Sequence, residues 1–280
     1  MQFGKLVDGK PTYTSPSQLS SMNMCGEKYR LERLVQVKQD NAWWNAGGSA
    51  VHAATEMFDR TWWEEECPAD WHKKITPAEV DETFNMCLDA EISDWDMSAN
   101  ILSSRGQTED WWRENGPDMV QNYLDFITTT GWKIWTKGDT PGIEYKVDVL
   151  LNKTNEDTRI LGFIDRVYDT GNGNLIVADI KTGSRKPGNK LQLGIYTAGL
   201  LLQEGLEVDL GAYLMVRKPL VHKATPTVDL SEWTPFIAEK YVTNMRRILD
   251  AEAYLPNVSG FCNACSVKEF CWAYKAESNN

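Results

Sequence analysis

Asp179 and Lys181 stand two residues apart at the end of an apolar run, in "NLIVADIKTGSRKPGNK", residues 174–190. Side chains two apart on a strand share a face, so this spacing sets a carboxylate beside a fixed cation while Ile180 points the other way. Asp165, in "GFIDRV", lies on the preceding apolar run. The "TGNG" between the two runs is a hairpin signal that makes them antiparallel neighbours. Two carboxylates from adjacent strands form a minimal site for a hard divalent cation. A lone Asp-x-Lys pair would equally mark a strand emerging into solvent, so the surrounding residues matter. Gln192 and Tyr196, spaced i, i+4, project from one face of the helix that follows. His52, after "GG", offers a nitrogen ligand from an earlier helix, and Glu144, on the strand before Asp165, is a candidate extra ligand or simply an exposed strand residue.

The elements that must position these groups can be read from periodicity and caps. Period-two patterning predicts strands in "IEYKVDVLL", "RILGFIDRVYD", "NLIVADIK" and "VDLGAYLMVRK". Helices are expected over 16–35, with Ser15 as cap and Pro16 in the first turn, and after Gly47, Gly48 and Ser49. Further helices are expected over 76–95, opened by the capping box "TPAE", and over 108–129. "GNKLQLGIYTAGLLLQEG" and "SEWTPFIAEKYVTNMRRILDAEAYL" supply the last two. The expected fold is α/β, a central mixed sheet flanked by helices. One domain spans 1–280, with a helical insertion at 53–140, a catalytic core at 141–217 and a cysteine-bearing segment at 255–275.

In the order "GGSAVH", "IEY", "GFIDRV", "ADIKTG", "QLGIY", the chain resembles the RecB-type branch of the PD-(D/E)XK nuclease superfamily from about residue 20 to 272. The resemblance implies a restriction-endonuclease-like core whose active site comprises His52, Asp165, Asp179 and Lys181, with Gln192 and Tyr196 on the helix beside it. It implies a metal-dependent DNA exonuclease acting on DNA ends or single strands in recombination, repair or CRISPR adaptation. Asp165, Asp179, His52 and the Ile180 backbone carbonyl would hold Mg²⁺ or Mn²⁺. The nitrogen ligand predicts that Mn²⁺ serves at least as well as Mg²⁺. Lys181 would orient the attacking water and stabilise the transition state. A rival reading is a catalytically weak or inactive nuclease-fold module that binds DNA or assembles with partners.

"CNACSVKEFC" places Cys262, Cys265 and Cys271 close together, a metal site short of one ligand. Zinc with a fourth ligand from elsewhere is one reading. The resemblance favours another. A subset of the family, including the AddB nuclease domain and the fourth CRISPR-associated (Cas) protein, carries a [4Fe-4S] cluster on one N-terminal and three C-terminal cysteines, and Cys25 occupies the matching N-terminal position. Such a cluster would join the two ends of the chain. As a stand-alone chain it resembles that Cas member most, and a phage-borne relative of that member is also compatible with these residues. Cys67, Cys87, His72 and His222 lack partners at ligand spacing, and core or surface roles are expected for them.

The formal net charge of −11 argues against a uniform nucleic-acid-binding surface, but the acidity is regional. Residues 61–118 hold 15 Asp/Glu against 4 Lys/Arg, which leaves the rest of the chain neutral. Arg185, Lys186 and Lys190 follow the Asp-x-Lys strand directly and are candidate DNA contacts; Arg30, Arg33, Arg217 and Lys218 could extend that track, or be solvated surface charge. The acidic stretch also holds six of the twelve tryptophans. These suit either base stacking or packing at the core boundary. The acidity itself suits a shield against duplex or a docking face for a basic protein partner. No apolar run of membrane-spanning length and no secretory leader is seen, so a cytoplasmic, reducing setting without membrane contact is expected.

Overall fold

The computed structural model describes residues 6–7, 9–66, 71–99, 101–103, 106–220 and 227–278. The expectations for Cys67 and His222 lie outside the described residues. A six-stranded mixed sheet forms the middle layer. Its strands are β1 (Lys133–Ile134), β2 (Ile143–Leu150), β3 (Arg159–Asp169), β4 (Leu175–Lys181), β5 (Leu210–Met215) and β6 (Thr227–Asp229). The order runs β6-β5-β4-β3-β1, with β2 also paired to β3. β3 and β4 form the antiparallel hairpin expected from "TGNG", and the β4–β5 pair is parallel. That crossover is made by helix Leu191–Glu204, as parallel neighbours require.

The helices are α1 (Pro16–Met24), α2 (Gly26–Tyr29), α3 (Trp43–Glu64), α4 (Pro77–Ile92), α5 (Glu109–Thr130), α6 (Leu191–Glu204), α7 (Pro235–Asp250) and α8 (Trp272–Ser278). Helices α3, α4 and α5 cover one face of the sheet through a core that includes Val51, Phe84, Trp112 and Tyr123 against Tyr168, Ala178 and Ile180. On the other face α1, α6 and α7 pack Leu19, Ile195 and Val242 against Val147, Val167 and Val177. Alternation along β4 is as expected: Ile176, Ala178 and Ile180 face α3–α5, while Val177 faces α6. Thr76 closes a capping box with Glu79 at the start of α4, as "TPAE" predicts.

Three details depart from expectation, each for a packing reason. The helix expected over 16–35 is interrupted at Cys25, which is extended (φ −164°, ψ 114°). The Gly26 N–H donates to the Leu255 carbonyl at 2.9 Å, and a Cβ on Gly26 would lie 2.8 Å from the Leu255 nitrogen. After α2 the chain continues as a π-helix over Arg30–Val35. Second, Gly47 and Gly48 lie inside α3, which begins at Trp43. Here glycine is needed for close approach, since a Cβ on Gly47 would sit 2.0 Å from the Trp112 ring. Third, the 53–140 span begins in the middle of α3, and its α4 and α5 build the core on one face of the sheet.

Candidate active site

β3 and β4 pair only as far as Arg166 and Ala178. Beyond that the strands part, β4 continuing beside β5 to Lys181 and Met215 while β3 stays with β2. The opening exposes backbone donors that must be satisfied. Asp165 fills this role, its Oδ2 accepting from the Ile180 N–H at 2.7 Å. The site therefore forms in the cleft where the sheet divides.

β2 contributes the next carboxylate through an unusual backbone. Glu144 has φ +45°, in the left-handed region that non-glycine residues seldom occupy. On a regular strand Ile143 and Tyr145 would share a face, yet Ile143 packs toward α3–α5 and Tyr145 toward α6. Glu144 is thus turned so that its carboxylate, His52 and Asp165 each place a ligand atom within 4.8 Å of the other two. The His52 Nδ1 to Asp165 Oδ2 distance is 3.4 Å.

Asp179 is buried beside this trio, 2 % exposed. Its Oδ2 lies 2.7 Å from Lys181 Nζ, which confirms that the two share a face. The contact is ionic, for that oxygen accepts no well-directed hydrogen bond. Lys181 Nζ also donates to Gln192 Oε1 at 3.3 Å. Tyr196, one turn further along α6, is buried against Gly162 of β3.

Electrostatics follow from crowding. Burial and then the Asp165 charge push the Asp179 carboxyl up to about 7. The same two causes raise Glu144 to about 7. Burial lowers His52 below its usual range, with Asp165 opposing, so the imidazole is neutral and able to ligate at neutral pH. Burial and the Asp165 and Asp179 charges raise Tyr196, which stays a phenol. A buried carboxylate oxygen without a hydrogen bond, next to a trio with one nitrogen and two oxygen donors in mutual reach, fits a divalent cation. Among the described residues the tight trio contains Glu144, and Asp179 adjoins it through the Ile180 N–H to Asp165 contact.

Sequence reasoning missed the layer beneath. Arg166 is fully buried; its Nε donates to Asp59 Oδ2 at 2.5 Å and its Nη1 to the Asp165 carbonyl at 2.6 Å. Nη1 also lies 3.7 Å from Glu144 Oε1, and Nη2 donates to Thr55 Oγ1 at 3.3 Å. Tyr123 donates to Asp59 and shares a 2.6 Å hydrogen bond with Tyr168. Since Thr55 and Asp59 ride on the His52 helix, Arg166 locks that helix to the two acidic strands. The only sequence signal is an arginine next to Asp165 in the middle of a strand. His72, expected at surface or core, is buried with its Nε2 4.0 Å from Asp59 Oδ1.

Of the candidate DNA contacts, Arg185 lines a cleft next to Thr182, and Lys186 Nζ lies 5.9 Å from the Tyr213 ring centre. Lys190 is occupied by the Asp229 carbonyl at 2.8 Å. Arg30 makes a two-pronged pair with Glu27 at 2.8 Å.

Cys25, Cys262, Cys265 and Cys271 are free and partly exposed. The C-terminal segment folds back onto the α1–α2 break: Asn257 donates from Nδ2 to the Met24 carbonyl and from its N–H to Cys25 Sγ at 3.4 Å, and Ser266 donates to Glu32. The Ser259 N–H donates to Cys262 Sγ, also at 3.4 Å. Sulfurs that accept backbone N–H groups suit thiolate ligands. A zinc ion would draw its thiolates to about 3.8 Å of one another. Among the described residues no three of these sulfurs lie within 4.8 Å of one another. Cys87 is buried with its thiol raised by burial, as expected of a core residue. No helix among the described residues is long and apolar enough to cross a membrane.

A family model described as the PD-(D/E)XK nuclease superfamily matches residues 13–272. The chain is also similar to the Gene 69 protein of Mycobacterium phage L5, at 24% identity over 298 residues, covering 93% of this chain and 96% of that protein.

Proposed function

Because the chain belongs to the PD-(D/E)XK nuclease superfamily, we propose that it is a metal-dependent DNA exonuclease working at the cleft where β3 and β4 part. The observation that carries this reading is the convergence of Glu144, Asp165, Asp179 and His52 beside Lys181, with more buried negative charge than the protein itself neutralises. Glu144, Asp165 and His52, with Asp179 and the Ile180 carbonyl alongside, would hold Mg²⁺ or Mn²⁺. A bound divalent ion supplies an acidified water and screens the charge that grows on the phosphate. Lys181, fixed by Asp179 and Gln192, orients the water and offers a cation to the transition state. Arg166 holds Asp165 and Glu144 at their spacing, and neutral His52 completes the donor set.

We read the four cysteines as ligands of a [4Fe-4S] cluster that clasps the C-terminal segment to the α1–α2 break. The N–H to sulfur contacts at Cys25 and Cys262 support this. The phage relative supports a setting in phage DNA metabolism.

The test is degradation of end-labelled single-stranded DNA with Mn²⁺ or Mg²⁺ by anaerobically purified protein, with Asp179→Ala and Lys181→Ala compared. Each variant should lose at least about a hundredfold in rate while its circular dichroism is kept. Visible absorption and an iron assay on the same sample decide the cluster. A folded wild type that binds DNA but cuts none of it would move the reading to a binding module.

A further inference from the structure

Directly after Lys181 the chain runs into one wall of an open cleft of about 590 Å³. That wall is the turn Thr182, Gly183, Ser184, Arg185; Phe261 and Asn263 of the turn around Cys262, with Trp44 and Arg217, also line the cleft. The cleft adjoins the active site on both its flanks. Thr182 follows the Asp179–Lys181 strand, and Trp44 and the glycine that meets Thr182, Gly48, lie on the His52 helix.

Three features set this cleft apart. In a chain with 40 Asp/Glu and a net charge of −11, its lining among the described residues contains no carboxylate and two arginines. Each of the four other clefts described has at least one acidic residue in its wall. Phe261 is 70 % exposed, an aromatic ring that the fold leaves in water at the rim. Trp112 also lines the cleft, 1 % exposed, with an indole N–H that has no partner in the protein.

Arginines without acidic neighbours attract phosphates, and exposed aromatic faces offer stacking platforms to bases. In a duplex the base faces already stack on one another, so such platforms serve unpaired strands. We propose that this cleft binds the single strand flanking the scissile phosphate, with Arg185 and Arg217 on its phosphates and Phe261 and Trp44 against its bases. The proposal rests on the nuclease reading and deepens it: it gives single strands a binding cleft and the cysteine-bearing turn a substrate-binding role. Arg217, already stacked 4.7 Å over Trp111, is held in place for this task.

Binding can be measured apart from cutting, by fluorescence anisotropy of a labelled oligonucleotide in EDTA, in wild type and in Phe261→Ala, Phe261→Tyr and Arg185→Ala. Phe261→Ala should weaken single-strand binding about 5- to 100-fold, and Phe261→Tyr should restore it. Arg185→Ala should weaken binding and reduce the slope of log affinity against log salt by about 0.7. Duplex binding should change by less than about twofold in Phe261→Ala. Both side chains are at the cleft surface, and circular dichroism checks the fold. Unchanged single-strand affinity in Phe261→Ala and Arg185→Ala overturns the proposal, as does an equal loss on duplex. A wild type that binds through these residues but degrades nothing refutes the nuclease reading alone.

Discussion

Two clusters of buried charge meet at consecutive residues of β3, and they are balanced differently. Around Arg166 lies a pair: one arginine, one aspartate, with Tyr123 and Tyr168 completing the hydrogen bonds. Around Asp165 lie three carboxylates, with Lys181 against Asp179 and the edge of Arg166 3.7 Å from Glu144, and two of the three are pushed to about 7. In the first cluster the arginine and the aspartate neutralise each other. The second is left with an excess of negative charge that the fold tolerates only by raising proton affinity. The difference teaches which carboxylates serve the structure and which await a ligand.

The sharpest break of this comparison is a pair of substitutions with opposite signs in thermal unfolding. Asp59→Ala strands a fully buried guanidinium and should cost about 3–5 kcal/mol. Asp179→Ala relieves crowding, so the metal-free protein should keep or gain stability. If both variants lose stability alike, the two clusters are not distinct in kind.

A smaller effect sharpens it through pH. Asp179 and Glu144 have ordinary values of 3.8 and 4.5 and rise to about 7 in the fold. Below about pH 3 both are protonated folded or unfolded, and their contribution is fully present. As pH climbs to about 7 the unfolded chain has already released these protons, so metal-free stability falls across that window. Mn²⁺ competes with the same protons, and its increment in melting temperature should be larger at pH 8 than at pH 5.5. Double substitution Glu144→Gln, Asp179→Asn should flatten both trends; a metal increment independent of pH in the wild type would count against the crowded-carboxylate account.

The smallest expected effect concerns Gln192, which holds Lys181 from α6. Gln192→Ala should slow cleavage by about tenfold, less than Lys181→Ala, and Gln192→Glu should recover part of the loss. Single-turnover rates at saturating DNA decide it, and a loss equal to that of Lys181→Ala would make Gln192 more than a positioning residue.

How much of this could be read beforehand depended on distance along the chain. Asp179, Lys181 and their shared face follow from a two-residue period, and Asp165 from a hairpin four residues across. The layers, the capping box at Thr76 and the crossover helix were likewise local patterns. What escaped was set by partners far away. Arg166 reaches Asp59, 107 residues earlier. Glu144 was left between ligand and surface residue because a positive φ on a glutamate has no local signature. Gly47 reads as a helix breaker until Trp112 is seen to need its missing side chain.

The contacts that draw the C-terminal segment onto the α1–α2 break span most of the chain: Gly26 to Leu255, Met24 to Asn257, Glu32 to Ser266. Closing so large a loop gains little until the sheet already holds both ends near each other. In the cluster-free chain, therefore, this junction should be acquired last in folding and should open first in native-state fluctuations. Hydrogen exchange at Gly26 and Asn257 would then proceed through a partial opening that leaves β3 and β4 protected.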